Sequence, residues 1–334
     1  MNHNLLSTSS VKLIQFNECS SYLRMSAAAG AKSDDTMMFC ASCGTAGDDD
    51  IKLKRCTACR LVRYCSVKCQ KEHRSKHKKA CKKRAAELHD EILFKQPESS
   101  HWGDCPICCL PIPIDPQKST SYSCCSKYIC IGCDYANKNR EIGGRLQQKC
   151  PFCRIVMPDT DEEWVERSMK RIEMNHPVAI CDMGTRRYYE GDFKAAFEFW
   201  TRAADLGNVE AHFQLSILYQ NGYGVKIDAK KEQHHLTEAA IGGHPNARHN
   251  LGCEEETNRQ YVRAVKHWII AAKLGFDMSL QRLKELHEVG FVSKKDFAGA
   301  LRGHKAAIDA TKSLQREEAE KWIAERKREE ALRK

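Results

Sequence analysis

The chain lacks any apolar run near the ~18–20 residues that a membrane-spanning helix needs, so a soluble protein with no membrane partner is expected. Residues 1–36 lack a basic start followed by a continuous apolar stretch, which leaves no secretory signal to read. They are rich in Ser and Ala and read as a disordered segment; Glu18 and the scarcity of arginine argue against a transit peptide. Cysteine is nearly missing from the second half: of nineteen, only Cys181 and Cys253 lie beyond Cys153. Acidic side chains are nearly missing between Ile51 and Arg84, where fourteen Lys and Arg accompany the single acid Glu72. Such a patch suits nucleic acid or an acidic partner. Aromatics are not interleaved with it apart from Tyr64, so nucleic acid is not the expected ligand, and a lysine-solvated small module accounts for the charge.

What is present is a dense run of metal-ligand spacings. Most cysteines fall in CxxC pairs, too close for easy mutual bridging but well placed to chelate one ion. Zinc in a reducing compartment is the better account than disulfides. An intracellular location, cytoplasmic and/or nuclear, is therefore expected. The first group runs Cys40-x2-Cys43, Cys56-x2-Cys59, Cys65-x3-Cys69 and His77-x3-Cys81. Zinc takes four tetrahedral N/S ligands, so eight candidates imply two closed sites. The x3 spacings place two ligands one helical turn apart on one face. Spacing alone leaves open whether neighbouring or alternate pairs share an ion. His73, one turn from both Cys69 and His77, is read as a surface or second-sphere histidine.

This group resembles the MYND zinc finger, down to Tyr64-Cys65 and the run from Cys69-Gln70 to His77 and Cys81; where that family usually has Trp, this chain has Arg74. The resemblance implies alternating pairs: Cys40, Cys43, Cys65 and Cys69 on one zinc, Cys56, Cys59, His77 and Cys81 on the other. It also implies recruitment of partners through short proline-containing peptides. Some relatives add a SET methyltransferase domain, of which no signature is seen.

After a helical linker (85–104) a second group follows: Cys105-Pro106-Ile107-Cys108, the adjacent Cys124 and Cys125, Cys130-x2-Cys133, and Cys150-Pro151-Phe152-Cys153. Its order looks like a RING finger. The resemblance implies a cross-brace, with Cys105, Cys108, Cys130 and Cys133 on one zinc and Cys124, Cys125, Cys150 and Cys153 on the other. Lys127 stands where a histidine is usual, so Cys124-Cys125 is expected to substitute, and Cys109 is left as a spare, buried or capped thiol. The resemblance further implies a docking surface for a ubiquitin-conjugating enzyme at Ile107 and Pro151, with Arg154 placed to steady ubiquitin. No catalytic nucleophile is expected, because a RING accelerates transfer by orientation.

Between residues 161 and 310 the chain repeats itself. Ala203-Ala204-x2-Gly207, Ala239-Ala240-x2-Gly243 and Ala271-Ala272-x2-Gly275 recur, each preceded by a bulky residue, Trp200, Leu236 or Trp268. Periods of 32–36 residues mean helix-pair solenoids. Small alanines let two helices approach, the large residues fill the groove, and the glycine ends the second helix. The loop Gly222-Tyr223-Gly224-Val225 before Asp228 resembles the Sel-like branch of the tetratricopeptide superfamily, which implies helical or extended peptides as ligands. A degenerate pair near 279–310 is expected to cap the stack. His234, His235 and His244 are read as surface residues. The tail 311–334 pairs Glu317 with Lys321 and Glu329 with Arg333, and reads as a solvated or frayed helix, with a coiled-coil contact as the alternative.

The expected architecture is small zinc-stabilised modules, 37–84 and 105–157, followed by an all-α helical-repeat solenoid over 161–310. Four Zn2+ are expected, two per module. The expected role is a zinc-binding interaction scaffold, with a RING-type ubiquitin ligase, a non-catalytic adaptor and a nucleic-acid-associated regulator as the competing readings.

Overall fold

The computed structural model describes residues 39–47, 51–144 and 147–333, so the expectation of disorder over 1–36 lies outside the described residues. The chain divides into two compact units, Met1–Arg84 and Ala85–Lys334. In the first, strands β1 (Lys54–Arg55) and β2 (Arg63–Tyr64) pair antiparallel, and helix α1 (Val67–Leu93) begins one turn after Cys65. The core of this unit is built from ligand residues: Cys40, Cys56, Cys59, Cys69 and Tyr64 are all buried. A module this small has little apolar surface of its own to bury, so cross-linking by metal must supply what the core cannot.

The second unit begins with the end of α1. Leu93 sits in a core with Leu236, Ala239, Ala240, Ala247 and Leu251. The carbonyl of Leu93 accepts from the buried guanidinium of Arg248. The segment expected to be a linker thus ends as part of the solenoid's core. A hairpin of β3 (Ser119–Tyr122) and β4 (Lys127–Cys130) follows, then helix α2 (Ile131–Gly143). Helix α3 (Asp161–Glu173) opens the helical region, N-capped by Thr160.

Three helix pairs form the solenoid: α4 (Pro177–Tyr189) with α5 (Phe193–Asp205), α6 (Val209–Asn221) with α7 (Ala229–Ile241), and α8 (Pro245–Thr257) with α9 (Tyr261–Lys273). The Ala-Ala-x2-Gly motif closes each pair in the same way. Gly207, Gly243 and Gly275 take φ of +81°, +87° and +94°, which only glycine adopts without strain. Their N–H groups donate to the second alanine, and the next residue donates to the first. That next residue, Asn208, His244 or Phe276, is the N-cap of the following helix, so one short turn ends one helix and aims the next. The indoles of Trp200 and Trp268 are fully buried and donate to the carbonyls of Cys181 and His249. Gly184 and Gly252 make room for them: a Cβ on Gly184 would lie 2.6 Å from Trp200. Helices α10 (Asp277–Glu288) and α11 (Lys294–Ala310) pack on α9.

Helix α12 (Leu314–Leu332), expected to be a solvated or frayed helix or a coiled-coil contact, lies along α2. Arg316 and Ala319 are buried there, Trp322 packs on Tyr135 at 5.4 Å, and Lys118 pairs with Glu320 at 2.7 Å. The charge pattern of the tail hides one inward-facing stripe, short and made partly of an arginine. Among the described residues no helix is long and apolar enough to cross a membrane.

Candidate metal centres

Four Cys/His quartets converge, with ligand atoms in each within 4.8 Å of one another. They are Cys40, Cys43, Cys65 and Cys69; Cys56, Cys59, His77 and Cys81; Cys105, Cys108, Cys130 and Cys133; and Cys124, Cys125, Cys150 and Cys153. Within both modules the pairs alternate rather than joining their neighbours. Sulfur separations of 3.6 Å (Cys43–Cys65), 3.5 Å (Cys65–Cys69), 3.8 Å (Cys56–Cys81) and 3.7 Å (Cys125–Cys150) match a tetrahedron, whose edge for Zn–S bonds of ~2.3 Å is about 3.8 Å. Cys59 Sγ lies 3.2 Å from His77 Nε2.

Four of the five CxxC pairs are held by the same backbone device; the fifth, Cys130-x2-Cys133, spans the end of β4 and the first turn of α2. The residue after the second cysteine, Gly44, Arg60, Cys109 or Arg154, has positive φ, between 56° and 75°. Its N–H donates to the carbonyl of the first cysteine at 2.8–3.0 Å. The chain then doubles back, pairing Phe39 with Ala46, Arg55 with Arg63, Asp104 with Pro111 and Lys149 with Val156. The turn aims both sulfurs to one side. Cys109 is therefore the turn residue of its knuckle, and it is exposed rather than buried or capped. Left-handed backbone at that position fixes its side chain outward, away from the ligands. The adjacent Cys124 and Cys125 reach one centre because they sit in the tight β3–β4 loop, where Ser126 has φ of +53° and donates to Tyr122 at 2.6 Å. Lys127, in the place expected for a ligand histidine, lies over the Phe152 ring at 4.4 Å.

The chemistry of the donor sets fits a cation. Burial opposes ionisation of Cys40, yet backbone N–H groups of Cys43 and Cys65 overcome it and bring its thiol down to about 6. Cys65, hydrogen-bonded to Cys69 and Cys43, is pushed up to about 12. One thiolate is stabilised at the expense of its neighbour, because adjacent negative charges cannot all form without a positive ion between them. Zinc would bind all four as thiolates and, in doing so, cross-link segments that are distant in sequence.

The surroundings hold these ligands from a second sphere. His73 Nδ1 lies 3.1 Å from the hydroxyl of buried Tyr64, and its ring stacks on that of His77. Arg74 is exposed. At the third quartet, the Arg316 guanidinium donates to Cys108 Sγ at 3.4 Å and to the carbonyls of Pro111 (2.7 Å) and Leu110 (3.2 Å). Gly132 admits it, since a Cβ there would lie 2.9 Å from Arg316. Sequence reading missed Arg316; an arginine among many charges in a tail gives no signal. Of the three docking candidates, Ile107 is 44% exposed, Arg154 is exposed and Pro151 is half-buried.

A fifth group, His101, Glu210 and His244, also converges. Both imidazoles approach Glu210 Oε2, at 3.2 and 3.1 Å, but they stack face to face at 4.4 Å with planes 17° apart, so their lone pairs do not point to one ion. His244 Nδ1 accepts from the Ala247 N–H, which puts the ring proton on Nε2, facing the carboxylate. This is a buried polar cluster and not a metal centre, and burial holds the His101 imidazole below its usual range. It corrects the reading of His244 as a surface residue: its side chain is 5% exposed. The His101 backbone N–H, which donates to the Gly243 carbonyl at 3.2 Å, and Tyr128, whose hydroxyl donates to Asp182 at 2.7 Å, join the second cysteine module to the solenoid.

Residues 40–81 match the model of the MYND finger family, and 177–208, 209–244 and 245–276 match the Sel1 repeat. The chain thus carries a MYND finger and three consecutive Sel1 repeats, with further cysteine clusters compatible with zinc between them. Among solved structures it is similar to a Sel1 repeat protein from Oxalobacter formigenes, at 22% identity over 53% of this chain and 71% of that one, with a TM-score of 0.39. It is similar too to a protective antigen of uropathogenic Escherichia coli strains displaying an SLR fold, at 22% identity, 45% and 34% coverage, and a TM-score of 0.38. The chain spans about a third of the length of that antigen.

Proposed function

We propose that this chain is a zinc-stabilised interaction scaffold: a MYND finger for proline-containing peptides, a second zinc module, and a solenoid for a further protein ligand. Four Zn2+, two per module, are bound by the quartets described above. The observation that carries the reading is the combination of a MYND finger with three Sel1 repeats, both protein-interaction modules, in one chain. The sixteen ligands are committed to metal, which leaves those cysteines no nucleophilic role. In-cell crosslinking of the full chain followed by mass spectrometry tests it. Partners should separate into a set lost with Cys65→Ser, which dismantles a MYND quartet, and a set that survives; recovery of no partner would sink the scaffold.

A second reading has its own support. The interleaving of Cys105/Cys108 with Cys130/Cys133, and of Cys124/Cys125 with Cys150/Cys153, is the order a RING-type cross-brace requires, and Ile107 is exposed. On this reading the module docks a ubiquitin-conjugating enzyme at Ile107 and Pro151, and Arg154 orients the loaded ubiquitin. Autoubiquitination with zinc-loaded chain and a panel of conjugating enzymes decides between the two. Ile107→Ala should abolish transfer with zinc content unchanged, and Arg154→Ala should slow it about tenfold. No transfer across the panel leaves the non-catalytic scaffold.

A further inference from the structure

The three repeats are not equal in how they fill the groove between their helices. In the first and third, an indole occupies it and a glycine eight residues into the repeat admits the ring: Trp200 with Gly184, Trp268 with Gly252. The second has Leu236 in place of tryptophan and Ser216 in place of glycine. A leucine is smaller than an indole, and a cleft of about 530 Å³ opens at that point, lined by both Ser216 and Leu236 where α6, α7 and α8 meet. Both departures from the repeat, Ser216 and Leu236, stand buried at the base of this space.

The walls of the cleft have a consistent chemistry. Leu236, Ile217 and Ala229 give an apolar floor. Gln220, Gln233, Asn250 and Asn258 offer amide donors and acceptors at the wall. Glu232 and Glu254 face it from α7 and α8, and no Lys or Arg lines it, although the chain as a whole carries a net charge of +10. Among the described residues, no third Cys, His or carboxylate converges with these two to make a metal cage. Glu255, the neighbouring acid on α8, is already paired with Arg263 at 2.6 Å.

We propose that this cleft binds a lysine or arginine side chain of an extended peptide. The aliphatic stem lies on Ile217 and Ala229, above buried Leu236, the cationic head meets Glu232 and Glu254, and the amides pair with the peptide backbone. Long basic side chains suit such a site because their stems are apolar and their heads charged. The proposal rests on the scaffold reading and names the ligand class of its solenoid. Burial, with the charges of Glu232 and Glu255, holds the Glu254 carboxyl up at about 7. Affinity should therefore rise as pH rises from 6 to 8, where Glu254 passes from neutral to anionic.

The test pans a phage-displayed library of random dodecapeptides against the zinc-loaded full chain, and then measures synthetic winners by fluorescence anisotropy. Expected is enrichment of a basic residue at one position, with at least tenfold weaker binding when it is replaced by glutamine. Glu232→Gln/Glu254→Gln should weaken binding by a similar factor and flatten the pH dependence. Ser216→Gly/Leu236→Trp, which restores the pattern of the other two repeats and fills the cleft, should abolish binding while thermal melting still reports a folded solenoid. Winners without a basic residue, binding indifferent to both double variants, or no peptide enriched on the native chain over the filled variant would each overturn the inference. The crosslinking experiment is read separately: partners captured equally by native and filled chains sink the cleft and leave the scaffold standing.

Discussion

Arg316 shows how one side chain can bind distant parts of a chain. Its guanidinium is removed from water, which is costly, and recovers that cost through carbonyls of Leu110, Pro111 and Thr311 and through a ligand sulfur. A donor on a metal-bound thiolate draws off negative charge, and such outer partners typically change metal affinity by ~10–100-fold. Arg316→Ala should accelerate zinc loss from the Cys105/Cys108/Cys130/Cys133 quartet about tenfold. It should also destabilise the second unit by about 2–3 kcal/mol, because buried carbonyls lose their donor. Arg316→Lys should recover only part, since a single ammonium cannot reproduce the fork. Release kinetics with a chromophoric chelator would show the phase of that quartet shifting; release unchanged from the native chain would refute the role.

At the scale of elements, the solenoid was readable because its physics is local. Ala-Ala-x2-Gly encodes helix approach and helix ending within five residues, so the pattern in the chain is the pattern in the fold. The quartets were equally legible as pairs, but their alternation was set by resemblance, since which pair meets which depends on how β1–β2 and β3–β4 fold back. The fate of the two flanking helices was not legible. The end of α1 supplies Leu93 to the solenoid core, and α12 packs on α2 from almost two hundred residues away in sequence. Both carry mostly charge, and one buried residue per turn is too thin a signal to separate a docked helix from a solvated one. Ending the chain after Thr311 removes α12 and bares the α2 face. Amides between Ile131 and Gly143 should then exchange with deuterium at least tenfold faster, with α5 unchanged. Equal protection in α2 with and without α12 would show the docking to be energetically idle.

For the whole molecule, the question is which parts stand or fall together. Zinc supplies the folding free energy of small Cys/His modules, and a simple expectation is that chelation unfolds both modules and spares the solenoid. The structure divides the chain elsewhere: the second module shares a compact unit with the repeats. Its Tyr128 is the hydrogen-bond partner of Asp182, which is half-buried in α4, and its flank supplies His101 to the Glu210–His244 cluster of α6 and α8. Unfolding the module would take Tyr128 from Asp182, at about 1–3 kcal/mol for a group left unpaired, and His101 from Glu210, which keeps His244 and Gln214. Removing zinc from the first unit leaves none of these groups unpaired. Cys40→Ser/Cys56→Ser should therefore leave the melting of the helical circular-dichroism signal within about a degree of native. Cys105→Ser/Cys150→Ser should lower it by several degrees and make it less cooperative, because α4, α6 and α8 lose support along one side. If both double variants melt like the native chain, the contacts through Tyr128 and His101 carry no net stabilisation and the solenoid is autonomous. If both lower it equally, the boundary at Arg84 is not a thermodynamic one.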